Sequence, residues 1–545
     1  MGDVPRKNAS WGVITMLAAA QFIMILDSTV MNVSITTIVK DLNTTVLGLQ
    51  TAITAYTLVM AAFMLIGGKL GDRWGAKRAF VAGLLVYGVG ALTTSLAPSL
   101  AVLLVGWSIV EGLGAVLVIP AIASLTAATY QGKQRAMAYG ILGGVAGASA
   151  AAGPLIGGWV TATYSWRYVF GGEAVVVLAL MLFLRLIPKT QGRTLKLDTL
   201  GAVLSASGLA LAVFGVLRSS QWGWIMPTES VPVIRGVTIA PLGLSPVLWL
   251  IIAGGFLITL FVRHEERTKA AGAEPLLDLA LLKIWPLRAG LIVLFCQQFI
   301  IMGTFFVIPL YLQTVLGFNA FQTGITVMPL SVALFFFALS GSALTGRFRP
   351  KSMLQVGIGL MLVGEALLLY FTSPNLDKPG FSVALALVGA GLGLLGSQLG
   401  NIIMSSVSSD RGGEAGGLQG TMQNLGASLG TALVGSILIA ALASSFQSGI
   451  VGNPQLPSNV QQEVLAAAKK DANFVSAAVL STGAEKAGLS STEVDTIVSG
   501  YKASQIKALK TSFAAIALFA LLALLYVRRL PTDHTIEAAD TKPAT

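Results

Sequence analysis

The stretch Gly68-Lys-Leu-Gly-Asp-Arg-Trp-Gly-Ala-Lys-Arg78 decides the fold of this chain. Apolar segments long enough to cross a bilayer flank it on both sides. Between them it packs glycines, an aspartate and the basic residues Lys69, Arg73, Lys77 and Arg78 into a connection with room only for a tight loop. Basic residues in short loops stay on the cytoplasmic side of a membrane. This one segment therefore predicts a polytopic membrane protein and orients the helices beside it.

Composition agrees. Of 545 residues, 54% are hydrophobic and 11% charged, where a soluble domain carries roughly 25% charged residues. The mean hydropathy is +0.79. A soluble multidomain protein is excluded. The net charge of +11 lies mostly in short loops beside apolar runs. It reads as topology and contact with anionic lipid, with no nucleic-acid partner. Cys296 is the only cysteine, so no disulfide forms within the chain. With two histidines, neither a metal site nor a cofactor is expected. Met1–Ser10 is short and polar, and the apolar run behind it is too long for a signal peptide, so it reads as a retained first span.

A span needs about 20 mostly apolar residues. Fourteen candidates follow: 12–38, 48–70, 77–97, 101–128, 136–162, 166–187, 197–218, 247–263, 287–313, 321–345, 352–372, 380–407, 416–446 and 511–528, with 247–263 the shortest. Loop charges alternate as topology requires and put both termini in the cytoplasm, which demands an even count. Ser342–Lys351 weakly repeats Gly68–Lys77, Leu344, Arg347 and Lys351 matching Leu70, Arg73 and Lys77. The expected organisation is a six-helix bundle over 1–187, a linker over 188–286 with two extra spans, and a second six-helix bundle over 287–545. A helical cap over 447–510 and a cytoplasmic tail over 529–545 belong to the second bundle. Ser458-Asn-Val-Gln461 and Ser490-Ser-Thr-Glu493 are candidate capping boxes in that cap, which should hold two or three short amphipathic helices.

Ionisable residues inside spans are costly and are functional candidates by default. Four carboxylates qualify: Asp27, Glu111, Glu173 and Glu365. None has a basic partner in its own span, except that Arg167 lies within reach of Glu173. An unpaired carboxylate in hydrocarbon tends to take up a proton, the property a proton-coupled carrier needs. Candidate cavity residues are Asn32, Trp107, Gln298, Gln398, Asn401 and Asn424. Gln297 and Gln298 are adjacent, so only one faces a cavity. For the amides and aromatics, plain helix packing is the competing reading. Gly153-Pro154-Leu-Ile-Gly157-Gly158 combines small residues with a helix-bending proline, a hinge suited to alternating access.

These residues resemble the major facilitator superfamily, and within it the 14-span drug:proton antiporters. Gly68, Leu70, Asp72, Arg73, Gly75, Lys77 and Arg78 match the signature loop that holds the cytoplasmic gate in that family. Gly153-Pro154 with Gly157-Gly158 resembles its antiporter motif. Leu26-Asp27-Ser-Thr-Val-Met-Asn32-Val resembles its first-span motif, which would make Asp27 the coupling or cation-sensing acid. Pro309-Leu-Tyr-Leu-Gln313 resembles its ninth span. Two places depart. Ser108 stands where the family has an arginine and Glu111 where it has a glutamine. Glu173 stands where it has an asparagine.

The resemblance implies an all-α membrane protein of the major facilitator fold and a proton-coupled antiporter exporting lipophilic compounds. The two departing acids favour a cationic substrate, glycine-rich spans without a dimer face favour a monomer, the alanine- and glycine-rich composition points to a bacterial inner membrane, and no metal cluster, nucleophile elbow or phosphate loop suggests an enzyme. Export of one endogenous antibiotic, siderophore or lipid stays open, as does proton-coupled uptake. A membrane sensor or scaffold acting through the 447–510 cap stays open too.

Overall fold

Long apolar stretches broken by glycine, proline and charged loops fold here as helices. The computed structural model describes residues 11–130, 132–192, 198–228, 231, 233–234, 237–343, 348–407, 412–470 and 474–528. The N-terminal half holds α1 (Trp11–Val33), α2 (Ile35–Asp41), α3 (Val46–Trp74), α4 (Ala76–Ser95), α5 (Leu100–Leu103), α6 (Gly112–Thr129), α7 (Gly132–Thr163) and α8 (Arg167–Leu182). A π-helical segment, Leu104–Glu111, joins α5 to α6. Then come α9 (Thr199–Trp222) and α10 (Pro246–Ala270). The C-terminal half holds α11 (Trp285–Leu310), α12 (Ala320–Ala343), α13 (Pro350–Phe371), α14 (Lys378–Ser405), α15 (Gly412–Ile450), α16 (Ser458–Lys470), α17 (Ala477–Lys486) and α18 (Ser491–Val527). The strands among the described residues form one antiparallel pair, Val233–Ile234 with Val237–Thr238.

Thirteen helices among the described residues are long and apolar enough to cross a bilayer. The expected count of fourteen is not confirmed by this criterion. The sixth expected span, 166–187, folds as the 16-residue α8, followed by a 3-10 turn at Leu184–Leu186. At about 1.5 Å per residue α8 is about 24 Å long, short of a hydrocarbon core of about 30 Å. Ile187 comes next, extended because it precedes Pro188, and the residue before a proline is pushed out of helical geometry. The 247–263 segment, short on paper, is a 25-residue helix. Ser245 caps it by accepting from the Val247 N–H at 3.2 Å. The first expected span, 12–38, breaks at Ser34, whose hydroxyl turns to Thr161 of α7 at 2.8 Å.

The cap differs from expectation in two places. The Ser490–Glu493 capping box forms, but it opens α18, one continuous 37-residue helix. Ser458 begins α16, and Gln461 takes no part in a box there. Its side chain accepts from the Gly452 N–H at 3.1 Å and donates to the Asn453 and Leu456 carbonyls at 2.9 Å, closing the turn after α15.

Within the N-terminal half, α1 packs on α7, and α4 lies between α6 and α8. Within the C-terminal half, α12, α13 and α14 pack together, and α11 packs on α15 and α18. The halves meet along α3–α15 and α7–α12. Small residues permit this approach: a Cβ on Gly158 would stand 2.6 Å from the Ala320 carbonyl oxygen. Gln50 of α3 donates to the Thr431 and Ala432 carbonyls of α15, at 2.9 and 3.1 Å. Gln313, beyond α11, donates to the Val33 carbonyl at 2.6 Å and accepts from the Thr36 hydroxyl. The α9–α10 hairpin covers one seam, α9 lying against both α3 and α15. Leu85, Val89 and Leu92 of α4 and Phe336 and Leu339 of α12 stay exposed, as suits a lipid-facing surface. Leu344, Gly346 and Arg347 of the weak repeat lie outside the described residues.

Candidate functional site: a buried carboxylate cluster

Asp27 of α1, Glu111 of the π-helical segment and Glu173 of α8 come from three separate spans and meet. One carboxyl oxygen from each lies within 4.8 Å of the others. All three residues are buried. The Trp107 indole N–H donates to Asp27 Oδ1 at 2.8 Å. Its ring stacks on Tyr56 of α3, with centroids 4.6 Å apart and planes within 3°. The Tyr87 hydroxyl donates to Glu173 Oε2 at 3.2 Å. Asp27 Oδ2, both Glu111 oxygens and Glu173 Oε1 are buried without a partner. The ion pairs found among the described residues, Arg167–Asp41, His264–Asp198 and Lys269–Asp278, do not involve the cluster.

Local geometry assembles this site. The π winding over Leu104–Glu111 carries both Trp107 and Glu111, and π turns concentrate at functional sites. Ser108, in the place where the resembling family has arginine, donates to the Ala52 carbonyl of α3 at 2.8 Å. Glycines let α4 touch the fourth span backbone to backbone. A Cβ on Gly90 would stand 2.6 Å from the Glu111 nitrogen, and one on Gly83 would stand 2.9 Å from the Gly114 oxygen. That approach brings Tyr87 to the acids.

Two full charges about 4 Å apart repel by about 4 kcal/mol at an effective dielectric of about 20. Three clustered carboxylates therefore cannot all be ionised without a cation between them. The donor set is all oxygen, suited to protons, to a hard cation, or to an organic cation lying on the aromatic wall. The same acids are the group of described residues able to hold a metal ion, although no metal site was expected from sequence.

The fourth sequence candidate, Glu365, does not join them. It is buried in α13 and accepts from the Thr304 hydroxyl at 2.6 Å. Arg167 does not pair with Glu173. It pairs with Asp41 and donates to the Ala97 carbonyl at 2.7 Å, while the Trp166 indole donates to Asp41 at 2.9 Å. Burial opposes charge on Asp41, but the Arg167 and Trp166 hydrogen bonds and the Arg167 charge hold it below the usual carboxylate range.

Most amide candidates bond to backbone. Asn32 donates to the Ser28 carbonyl and Asn424 to the Gly420 carbonyl, each at 2.8 Å and one turn back. Gln398 donates to the Gly341 carbonyl at 3.0 Å. Gln297, rather than the half-buried Gln298, is the fully buried amide of its pair, donating to Leu392 at 3.2 Å. The Asn401 side chain lies outside the described residues.

The Gly68–Arg78 run, expected as a tight loop, is instead helical on either side of Gly75, ending α3 and opening α4, and it is clasped by the chain that links the halves. Gly75 has φ +86°, and a Cβ there would strike the Thr190 carbonyl. The Lys77 ammonium donates to the Ile187 carbonyl at 2.6 Å, and its N–H donates to Thr190 Oγ1 at 3.0 Å. Lys69 donates to the Pro275 carbonyl. Asp72, Arg73 and Arg78 are exposed, and Gly68 faces open space. In the antiporter-like run, Gly153 and Gly157 press on Thr29 and Val30 of α1, close to Asp27. Gly158 and Pro154 press on α12 of the other half. Sequence reasoning missed Tyr56, Tyr87 and the π segment, since aromatics in spans are ordinary and the π winding has no sequence signal. Gln50 was open to discovery as a polar residue in a span.

The fold and site define a polytopic membrane transporter. A family model of the Major Facilitator Superfamily matches residues 17–431, and the chain belongs to that superfamily, one of transporters and not of enzymes. The tetracenomycin C resistance and export protein of Streptomyces glaucescens is 29% identical over 410 residues, covering 74% of this chain and 71% of its own. The probable actinorhodin transporter of Streptomyces coelicolor is 30% identical over 422 residues, covering 74% and 68%. The multidrug resistance protein Stp of Mycobacterium tuberculosis is 26% identical over 449 residues, covering 82% and 78%. The fold is similar to that of a crystallised bacterial homologue of the human lysosomal transporter Spinster in an inward-facing, unoccupied conformation. There the TM-score is 0.58 at 14% identity, with 97% and 98% of the chains covered.

Proposed function

We propose that this chain is a proton-coupled antiporter that exports lipophilic, cationic compounds by alternating access. One observation carries the reading: three buried carboxylates with free oxygens meet beside a Tyr56–Trp107 stack, with no basic partner among the described residues. A cation seated on the aromatic wall displaces protons from the acids, and protons return when it leaves. Asp27 and Glu111 exchange the charge, with Glu173 beside them. Glu365 takes a lesser part. Asp72 and Arg73 belong to the loop that gates the cytoplasmic side. Gly153–Gly158, wedged between α1 and α12, is the run through which a change at Asp27 reaches the other half. The protein works in a bacterial inner membrane, in contact with anionic lipid, with both termini in the cytoplasm. Each charge moved across 100 mV is worth about 2.3 kcal/mol, so one entering proton offsets the cost of expelling one positive charge and a second drives net export of a monocation.

The test is substrate-induced proton release from purified protein in detergent. Tetraphenylphosphonium serves as monocation and dequalinium as dication, with Asp27→Asn and Glu111→Gln beside the wild type. Release in the wild type that is lost in a variant supports the reading. No release with either cation, from folded protein, overturns it.

A second reading is export of one endogenous antibiotic. It draws on the relatives named for tetracenomycin C and actinorhodin. It predicts that neutral or acidic polycyclic compounds bind and that the two cations do not.

A further inference from the structure

Outside the carboxylate cluster, the α9–α10 hairpin holds a second pair of facing acids. Asp198 caps α9. Its Oδ1 accepts from the Gly201 N–H at 2.8 Å and contacts His264 Nε2 at 2.9 Å. Its Oδ2 is buried without a partner. Glu265, near the end of α10, is 1% exposed. Its Oε2 accepts from the Leu277 N–H at 2.9 Å, and its Oε1 is buried without a partner. The two free oxygens converge on one point, because a Cβ built on Gly201 would strike both. Two carboxyl oxygens facing each other with no donor between them are compatible only when one carries a proton. Burial opposes charge on Asp198, but Gly201, His264 and Glu265 hold it below the usual carboxylate range. Asp198 is therefore the ionised partner.

The Leu277 N–H belongs to the strap 271–284 that follows α10. Lys269 pins that strap through Asp278 at 2.6 Å. Asp278 also accepts from the Ala280 N–H at 3.0 Å. The Pro275 carbonyl of the same strap takes the Lys69 ammonium at the start of the Gly68–Arg78 loop. The titratable groups around the pair, among the described residues, are thus His264 and Lys269 of α10, Asp278 of the strap and Lys69 of α3.

We propose that Asp198 and Glu265 form a proton-binding latch that fastens the 271–284 strap to the Gly68–Arg78 loop. With a proton between them, the acids stay together, Glu265 keeps Leu277, and Pro275 stays on Lys69. Loss of the proton sets two like charges face to face. Glu265 then swings toward water, drops Leu277 and frees Pro275 from Lys69. The sign follows. The latch is closed at low pH on its own side of the membrane and opens as pH rises through the titration of the pair. The loop that the proposed mechanism uses as a gate is then tied to the local proton concentration, independently of Asp27 and Glu111.

The test is hydrogen exchange at the peptide containing Leu277, on the full chain in lipid nanodiscs from pH 6 to pH 8.5, corrected for intrinsic exchange. The wild type should lose about tenfold in protection across that range. In Glu265→Gln the amide accepts from Leu277 and donates permanently to Asp198, so protection should stay high throughout. Asp198→Asn should do the same with the donor reversed. Flat protection in the wild type overturns the latch, as does a Glu265→Gln profile that falls like the wild type. Transport is not read, so failure here leaves the reading of the carboxylate cluster untouched, and failure of that reading leaves the latch standing.

Discussion

In the N-terminal half, Asp27, Glu111 and Glu173 crowd together with four oxygens left without partners. In the C-terminal half, Glu365 sits in the same kind of buried, helical surroundings with the Thr304 hydroxyl at 2.6 Å and, among the described residues, outside any cluster of three acids. Other polar and aromatic side chains of that half are taken up in packing. Gln297 and Gln398 spend their amides on the Leu392 and Gly341 carbonyls. Phe299 stacks on Phe519 with centroids 3.8 Å apart. The residue type is the same, and the number of like-charged neighbours differs. A lone carboxyl beside a hydroxyl can sit neutral and inert. Three carboxyls together respond to any cation or proton that arrives. On the proposed reading, charge handling belongs to the first half.

The sharpest way to break this contrast is Asp27→Asn. It should abolish proton release and, at 100 mV, lower the attainable substrate gradient by about fiftyfold, the equivalent of one coupled charge at about 2.3 kcal/mol. Proteoliposome export of tetraphenylphosphonium measures it. Glu111→Gln should remove part of the released protons and slow export several-fold. Full activity in that variant would shrink the cluster to Asp27 and Glu173.

Gly157→Leu tests the join between the halves. The side chain would be driven into Val30 of α1. Overpacking of this kind costs about 1–3 kcal/mol, read as a lower melting temperature in detergent together with lost export. Glu365→Gln should leave export within about twofold of the wild type, because the amide oxygen still accepts from Thr304. A collapse of export there would spread the charge chemistry over both halves.

Asp41→Asn should have the smallest effect. Arg167 and Trp166 hold the Asp41 pKa down. The stability this supplies is complete above the unfolded value of about 3.9 and is lost as pH falls through the lower folded value. The pair is partly exposed, so the loss near neutral pH should be within about 1 kcal/mol. Melts at pH 7 and pH 3 should differ less in the variant than in the wild type.

Much of the fold was legible from length and charge. Apolar runs of span length located most of the spanning helices to within several residues, since hydrocarbon thickness leaves little choice. The sixth span comes out shorter than expected: α8 closes at Leu182, and only a 3-10 turn stands between it and Ile187, held extended before Pro188. The cap holds two short helices, α16 and α17, within the two or three expected, but nothing local says that α18 continues from Glu493 through the last span. Of the site, the acids themselves were legible, because a charge in a span stands out. The Arg167 partner was wrong: sequence proximity favoured Glu173, and the fold supplied Asp41 from another loop.

Class, orientation expectations and the list of costly buried charges came from the chain alone, because the bilayer penalises polar groups wherever they fall. Which charges share a site did not. Asp27, Glu111 and Glu173 lie far apart in the chain, and their meeting depends on Gly83 and Gly90 letting α4 touch the fourth span and on the π winding that carries Trp107 and Glu111. The same holds for Asp198 and Glu265, which face each other because α9 and α10 pack side by side. Helix contacts of this sort are set by shape across spans, and no period or composition within one span encodes them.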